Sequence, residues 1–299
     1  MTMGKDIQSL TSPRVVKELM ARYGVSFKKG LGQNFLIDRN ILAKIINAAE
    51  LDGEDLILEI GAGIGTLTKE LAKAAKQVVA IEIDDRLLPI LHDVLSGYSN
   101  VNLIHGDILK LDIKQVTEEY FGDQPFKVVG NLPYYISTPV LMMFLESGLR
   151  YESMVVMVQK EVALRMTAAA GTKDYGMLSI AVQYYTCPEI IAIVSANVFI
   201  PPPKVDSAIV LLKRRPYPPV RVEDSQLFFQ VVRAAFGHRR KTVLNALTAL
   251  ELEGVDKERL HAVLNRCSIN SPMRGEDLTI QQYADIANEL WFESKKVYR

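Results

Sequence analysis

The sequence predicts an α/β protein: a mostly parallel sheet with helices on both faces, followed by a smaller all-α domain. Three observations carry this expectation. From Leu51 to about Val158, short apolar runs alternate with amphipathic stretches, the pattern of βαβ units. Glycines at 61, 63 and 65 come directly after the first of those runs, where such a sheet turns from strand into helix. Three prolines fall within RRPYPPV (214–220), and everything beyond them has helical spacing.

The expected strands are LILEI (56–60), VVAIEI (78–83), VNLIH (101–105), FKVVG (126–130) and MVVMV (154–158), with TLTKELAKAA and DRLLPILHDVL as helices between them. DSAIVLL (206–212) reads as a closing strand, the antiparallel edge that such sheets often carry. The proline-rich segment marks a domain boundary. After it, QLFFQVVRAAF, KTVLNALTAL, ERLHAVLNRC and IQQYADIANELW repeat their apolar residues at helical intervals, with Phe228, Phe229 and Phe236 as helix core. The expected domains are residues 1–215, opening with a basic extension over 1–30, and residues 216–299.

The 299 residues contain 35 Lys+Arg and 35 Asp+Glu, so the chain is formally neutral. The distribution is uneven: net +4 over residues 1–30, −7 over 31–130 and +6 over 201–245. Basic zones flanking an acidic domain let a neutral protein present a phosphate-binding face, with ordinary solvated surface as the alternative. Cys187 and Cys267 are too few and too far apart for a disulfide framework or a zinc site; both read as buried thilos of a reducing cytosol. No apolar run approaches the ~18 residues of a membrane span, and the N-terminus lacks the apolar core of a signal peptide. A soluble, cytoplasmic protein without a membrane partner is expected.

The chemistry concentrates at predicted strand ends. In LEIGAGIGTLT (58–68) the glycines allow a sharp turn and close backbone approach to a ligand. Glu82 follows Gly61 by 21 residues, at the end of the second strand, where a carboxylate accepts hydrogen bonds from ribose hydroxyls. A nicotinamide dinucleotide fits poorly, because its third glycine would stand where this chain has Thr66. Asp107, in HGDIL (105–109), is placed to accept from an adenine amine, although it also fits a helix N-cap. Glu59 reads either as a helper carboxylate near a methionine moiety or as strand-end polarity.

GNLPYYIS (130–137) follows the fourth strand. An adenine amine is a poor nucleophile because its lone pair is delocalised into the ring. If Asn131 Oδ1 and the carbonyl of Leu132 or Pro133 accept its two N–H groups, the nitrogen is drawn toward a pyramidal form with its lone pair available to a sulfonium methyl. Tyr134 offers a face on which the extruded base can stack, and Pro133 fixes the backbone without adding a donor. Alone, Asn-Leu-Pro-Tyr would also fit a turn with a tyrosine on the core. Its position in sheet order beside the glycine loop, Glu82 and Asp107 favours one shared crevice.

GQNFL, EIGAGIGTLT, IEID, GDIL, NLPYYIST, PPPKVDSAIV and FGHRRKTVLNAL span nearly the whole chain from about residue 30. In these motifs the sequence resembles the rRNA adenine N6,N6-dimethyltransferases, within the class I S-adenosylmethionine-dependent methyltransferases and their Rossmann-like sheet. The resemblance implies S-adenosyl-L-methionine as cofactor, held by Asn34, Leu36, Gly61, Gly63, Glu82, Asp107 and Asn131. It implies a catalytic group of Asn131, Leu132, Pro133 and Tyr134, and no metal. DNA adenine methyltransferases usually carry a second proline where this chain has Leu132, which points to the RNA branch.

Within that branch, FGHRRKTVLNAL and RGEDLTIQQYADIANEL look like the group that dimethylates two adjacent adenines in the 3′-terminal hairpin of small-subunit (16S) rRNA. The implied partner is that RNA in a pre-ribosomal 30S particle, met by a monomer. The alternative is the large-subunit (23S) enzyme of macrolide resistance. A catalytically silent RNA-binding assembly factor is the reading from another class; retention of Gly61, Glu82, Asp107 and Asn131 opposes it. Lys28, Lys29, Arg239, Arg240 and Lys241 form the expected phosphate-binding clusters, with residues 216–299 as the RNA-recognition domain. Tyr135 stands where many relatives carry asparagine and is assigned no role beyond lining the pocket.

Overall fold

The computed structural model describes residues 10–237, 241–250 and 255–297. It divides into two units, the first made of residues 1–163 and 187–214, the second of residues 164–186 and 215–299.

In the first unit the chain runs α1 (Pro13–Arg22), β1 (Phe35–Leu36), α2 (Arg39–Ala49), β2 (Leu56–Ile60), α3 (Thr66–Ala74), β3 (Gln77–Glu82), α4 (Leu88–Val94), β4 (Val101–His105), α5 (Ile113–Phe121), β5 (Phe126–Asn131), α6 (Ser137–Glu146) and β6 (Tyr151–Gln159). It returns as β7 (Thr186–Val194), β8 (Phe199–Ile200) and β9 (Ser207–Arg214). The helices begin where the sequence supplies caps: Asp38 accepts from Ile41 N–H at 3.0 Å and Asp112 from Gln115 N–H at 3.0 Å, each worth about 1 kcal/mol.

Seven strands pair in the order β4-β3-β2-β5-β6-β9-β7. Those from β4 through β6 are parallel, and β9 runs antiparallel to β6. All five residues of β2 are buried, as a parallel strand covered on both faces requires. The order turns back at β2, which has β3 on one side and β5 on the other. Loops leaving the carboxyl ends of β2 and β5 therefore diverge and open a crevice between them.

The expectations for the closing strand and for the cysteines change. DSAIVLL was expected at the sheet edge, but it lies one strand inside it, because β7 pairs beyond. β7 contains Pro188, a residue that sheets tolerate at their edges, where a missing N–H breaks no internal ladder. The two cysteines are not buried: Cys187 is exposed and Cys267 intermediate, the former at an outward position of the edge strand.

The second unit holds the last turn of α7 (Lys160–Met166), with α8 (Met177–Tyr185), α9 (Ser225–Gly237), α10 (Val243–Leu247), α11 (Lys257–Arg266) and α12 (Ile280–Val297). The expected division at 215/216 assigned residues 164–186 to the first domain, whereas they belong to this helical unit. The cause is aromatic packing. Tyr184 stacks on Phe228 with centroids 5.0 Å apart, Tyr185 stacks on Phe229 at 5.6 Å, and Tyr175 meets Phe236 edge-on at 6.1 Å. Burying such rings holds α8 to α9 more firmly than chain proximity could.

Candidate active site

The crevice at the switch point is an open cleft enclosing about 740 Å³ of space, part of it open to solvent. Asn34, Gly61, Gly63, Glu82, Asp107, Asn131, Leu132, Pro133 and Tyr134 all line it, although they come from five separate stretches of the chain. Leu36 does not. It is buried in β1, opposite Phe199 of β8, and lines a smaller adjoining recess with Phe35, Gly61, Gly63, Thr66 and Asn131.

The glycine loop takes its shape from β3. Gly61 N–H and Ala62 N–H both donate to the Ile81 carbonyl, at 2.9 and 3.1 Å. Gly61 and Gly63 have φ of +79° and +60°, the left-handed region that favours glycine. Glu82 holds the loop from beneath: its Oε2 accepts from Gly63 N–H at 2.7 Å and its Oε1 from Asp84 N–H at 2.9 Å. Burial pushes the Glu82 carboxyl up, and those two N–H groups pull it back. Each oxygen keeps a lone pair for a ligand.

Asp107 caps no helix, contrary to one of its sequence readings: the next helix, α5, starts at Ile113 with Asp112 as its cap. Its Oδ1 accepts from Leu109 N–H at 3.0 Å, closing a turn, and the residue also faces the cleft.

On the other side of the switch point, Asn131 ends β5. Its Nδ2 donates to the Asn34 carbonyl at 3.0 Å, which fixes the amide and leaves Oδ1 without a hydrogen bond among the described residues. The Pro133 carbonyl accepts from Ile136 N–H at 3.1 Å within a turn. That of Leu132 is not taken in any such bond among the described residues, so it is the available member of the pair left open by the sequence. The Tyr134 hydroxyl lies 2.6 Å from Ser207 Oγ. Burial pushes this phenol up, the Ser207 hydroxyl opposing. Tyr135 is 54% exposed and lines the rim. No lysine or histidine lines the cleft among the described residues.

Some residues that build the site escaped sequence reasoning. A Cβ at Gly130 would lie 2.8 Å from the Ile60 carbonyl oxygen, so glycine is what lets β5 close on β2 and bring Asn131 to the loop. Its place immediately before Asn131 was the available signal. Gln33 Nε2 donates to Asp84 Oδ2 at 2.7 Å, and its Oε1 accepts from Lys28 N–H at 2.9 Å. This ties residues 28–34 to the end of β3. Asp84 is held below its ordinary range by Arg86, whose guanidinium reaches it at 2.6 Å. Ser207 gave no local signal, since its partner is 73 residues away.

Glu59 is fully buried in β2, and among the described residues neither carboxyl oxygen has a hydrogen bond. Burial pushes it up to about 8, with the Thr68 hydroxyl opposing and the Glu82 charge adding to the rise.

The basic clusters are partly described. Lys28 is exposed, Lys29 contributes its backbone to a short 3-10 helix, and Lys241 is exposed in the segment between α9 and α10. Arg239 and Arg240 lie outside the described residues, as does the side chain of Lys29.

The family model for ribosomal RNA adenine dimethylase matches residues 24–291. The chain is 53% identical over 290 residues to ribosomal RNA small subunit methyltransferase A of Geobacillus sp. (strain WCH70), covering 96% of this chain and 99% of that relative. Among solved structures, a dimethyladenosine transferase from Plasmodium falciparum is similar at a TM-score of 0.70 and 28% identity, over 88% of this chain and 98% of that one. The 23S rRNA methyltransferase ErmE is similar at 0.65 and 29%, over 86% and 99%.

Proposed function

The chain belongs to the ribosomal RNA adenine dimethylase family and is an rRNA adenine methyltransferase, and we propose that it dimethylates N6 of two adjacent adenines in the 3′-terminal hairpin of small-subunit (16S) rRNA. The observation that carries this reading is the pair of unengaged acceptors, Asn131 Oδ1 and the Leu132 carbonyl, in the same cleft as the glycine loop and Glu82.

The cleft suits S-adenosylmethionine. Glycines at positive φ form a wall that side chains would fill, Glu82 retains lone pairs for ribose hydroxyls, and Asp107 can take an amine. Asn34, Gly61, Gly63, Glu82, Asp107 and Asn131 would hold the cofactor, with Leu36 supporting the loop from the adjoining recess. When bound, the cofactor would supply an electrophilic methyl on a sulfonium leaving group, for which the amine nitrogen would exchange one N–H proton, lost to water.

The protein's contribution is orientation. Asn131 and Leu132 accept the two N–H groups of the amine, and their fixed dipoles localise its lone pair. The Asn131 amide is held in advance by Asn34, so little reorganisation remains at the moment of transfer. Tyr134 stacks on the flipped base. Pro133 closes the turn that presents the Leu132 carbonyl.

The small-subunit assignment is supported by 53% identity to an enzyme of that name across nearly both chains, against 29% to a large-subunit methyltransferase. A silent assembly factor would have no use for free acceptors at Asn131 and Leu132. Lys28, Lys29, Arg239, Arg240 and Lys241, with the helical domain, contact phosphates of the folded RNA by charge and shape. The enzyme works as a cytoplasmic monomer on a pre-ribosomal 30S particle. No described helix is long and apolar enough to cross a membrane.

Incubation with tritiated S-adenosylmethionine and immature small subunits, followed by nucleoside analysis, tests the reading. N6,N6-dimethyladenosine confined to the small-subunit RNA is expected. Label in large-subunit precursors instead, or RNA binding without any transfer, would overturn it.

A further inference from the structure

Ser207 opens β9, is fully buried, and stands opposite Gln159 in the antiparallel β6/β9 ladder. The residue before it is pinned twice: the Asp206 carbonyl accepts from Lys160 N–H at 3.0 Å, and its Oδ1 from Ala196 N–H at 3.1 Å. The Ser207 hydroxyl is therefore a fixed point in the sheet, 2.6 Å from the Tyr134 hydroxyl. At its other end Tyr134 belongs to a turn closed by Ile136 N–H on the Pro133 carbonyl, and its own carbonyl accepts from Ser137 Oγ at 3.1 Å. Held at backbone and at phenol oxygen, the ring has one orientation toward the cleft.

We propose that Ser207 is a positioning residue for the second of the two methyl transfers, acting through the plane of the Tyr134 ring. This rests on the adenine-dimethyltransferase reading of the site. An unmodified adenine amine has two N–H groups, one for Asn131 Oδ1 and one for the Leu132 carbonyl. The first transfer replaces one of them with a methyl. The monomethylated amine can engage only one acceptor, so the base must be aimed chiefly by stacking, and the rigidity of the stacking ring matters more in the second step. An enzyme that stops at one methyl could manage with a looser platform; one that completes two cannot.

The test compares Ser207→Ala, Tyr134→Phe and the double variant with the parent enzyme on immature small subunits, separating N6-monomethyladenosine from N6,N6-dimethyladenosine over time. Loss of one neutral hydrogen bond should slow the second transfer about fivefold relative to the first, so monomethyladenosine accumulates in each single variant. Both substitutions remove the same bond, so the double variant is expected to be no worse than the poorer single one. Ser207→Thr keeps the hydroxyl and restores the parent ratio, with cofactor affinity by calorimetry unchanged throughout. An equal slowing of both transfers, or a parent-like product ratio in both single variants, overturns the proposal. Should Ser207→Ala fail to fold, Tyr134→Phe breaks the same contact from the cleft side and decides the matter. A parent enzyme that methylates no adenine would overturn the functional reading instead, whatever Ser207 does.

Discussion

Replacing Glu59 by glutamine should remove a pH dependence from the stability of the sheet unit. Glu59 is buried in β2 with both carboxyl oxygens unpartnered among the described residues, and burial pushes it from an ordinary 4.5 up to about 8. The folded chain holds a proton there that the unfolded chain releases above pH 4.5. Where the folded state binds more protons, stability falls as pH rises. The contribution of this group is thus fully present below about pH 4.5 and lost as pH climbs through about 8. The interval spans about 3.5 pH units, and at about 1.4 kcal/mol per unit the ceiling is about 5 kcal/mol. Relaxation and water entry around a charged buried group reduce this, to an expected change of about 2–4 kcal/mol. Glutamine cannot ionise, so the stability of Glu59→Gln relative to the parent should rise by that amount between pH 5 and pH 9. Urea unfolding followed by far-ultraviolet circular dichroism measures it. The single tryptophan, Trp291, lies in the helical unit and reports that unit separately. A difference between variant and parent that is the same at pH 5 and pH 9 would refute the buried, protonated carboxyl.

Asn131→Ala should lower methyl transfer by about a hundredfold or more, as loss of one preorganised polar partner does, while calorimetry finds cofactor affinity largely spared. Gly130→Ala forces a Cβ to 2.8 Å from the Ile60 carbonyl; a loss of about 1–3 kcal/mol in thermal or urea unfolding is expected, together with reduced activity as Asn131 moves from the loop. Replacing Arg239, Arg240 and Lys241 together by alanine should weaken RNA binding and make the log–log salt slope shallower by up to about 3, which a filter-binding series at several salt concentrations would show.

The sequence by itself determined the pieces whose physics is local. Alternating apolar runs specify buried parallel strands, Gly61, Gly63 and Gly65 specify a loop that turns at positive φ, and Asn-Leu-Pro-Tyr specifies acceptors and a ring at a strand end, because each depends on residues within a few positions of one another. Even Glu82 and Asp107 were legible, since the βαβ repeat places successive strand ends on one edge. Tertiary structure decided what depends on distant partners. Only the β2/β5 pairing shows why residue 130 must be glycine, and only the turn at Pro133 leaves Leu132 as the available carbonyl. The attachment of residues 164–186 to the helical unit comes from tyrosines meeting phenylalanines more than forty positions away, and the Ser207 anchor of Tyr134 from a strand that returns late in the chain. Such contacts are set by sheet register and ring packing, and those follow from the whole chain closing on its core.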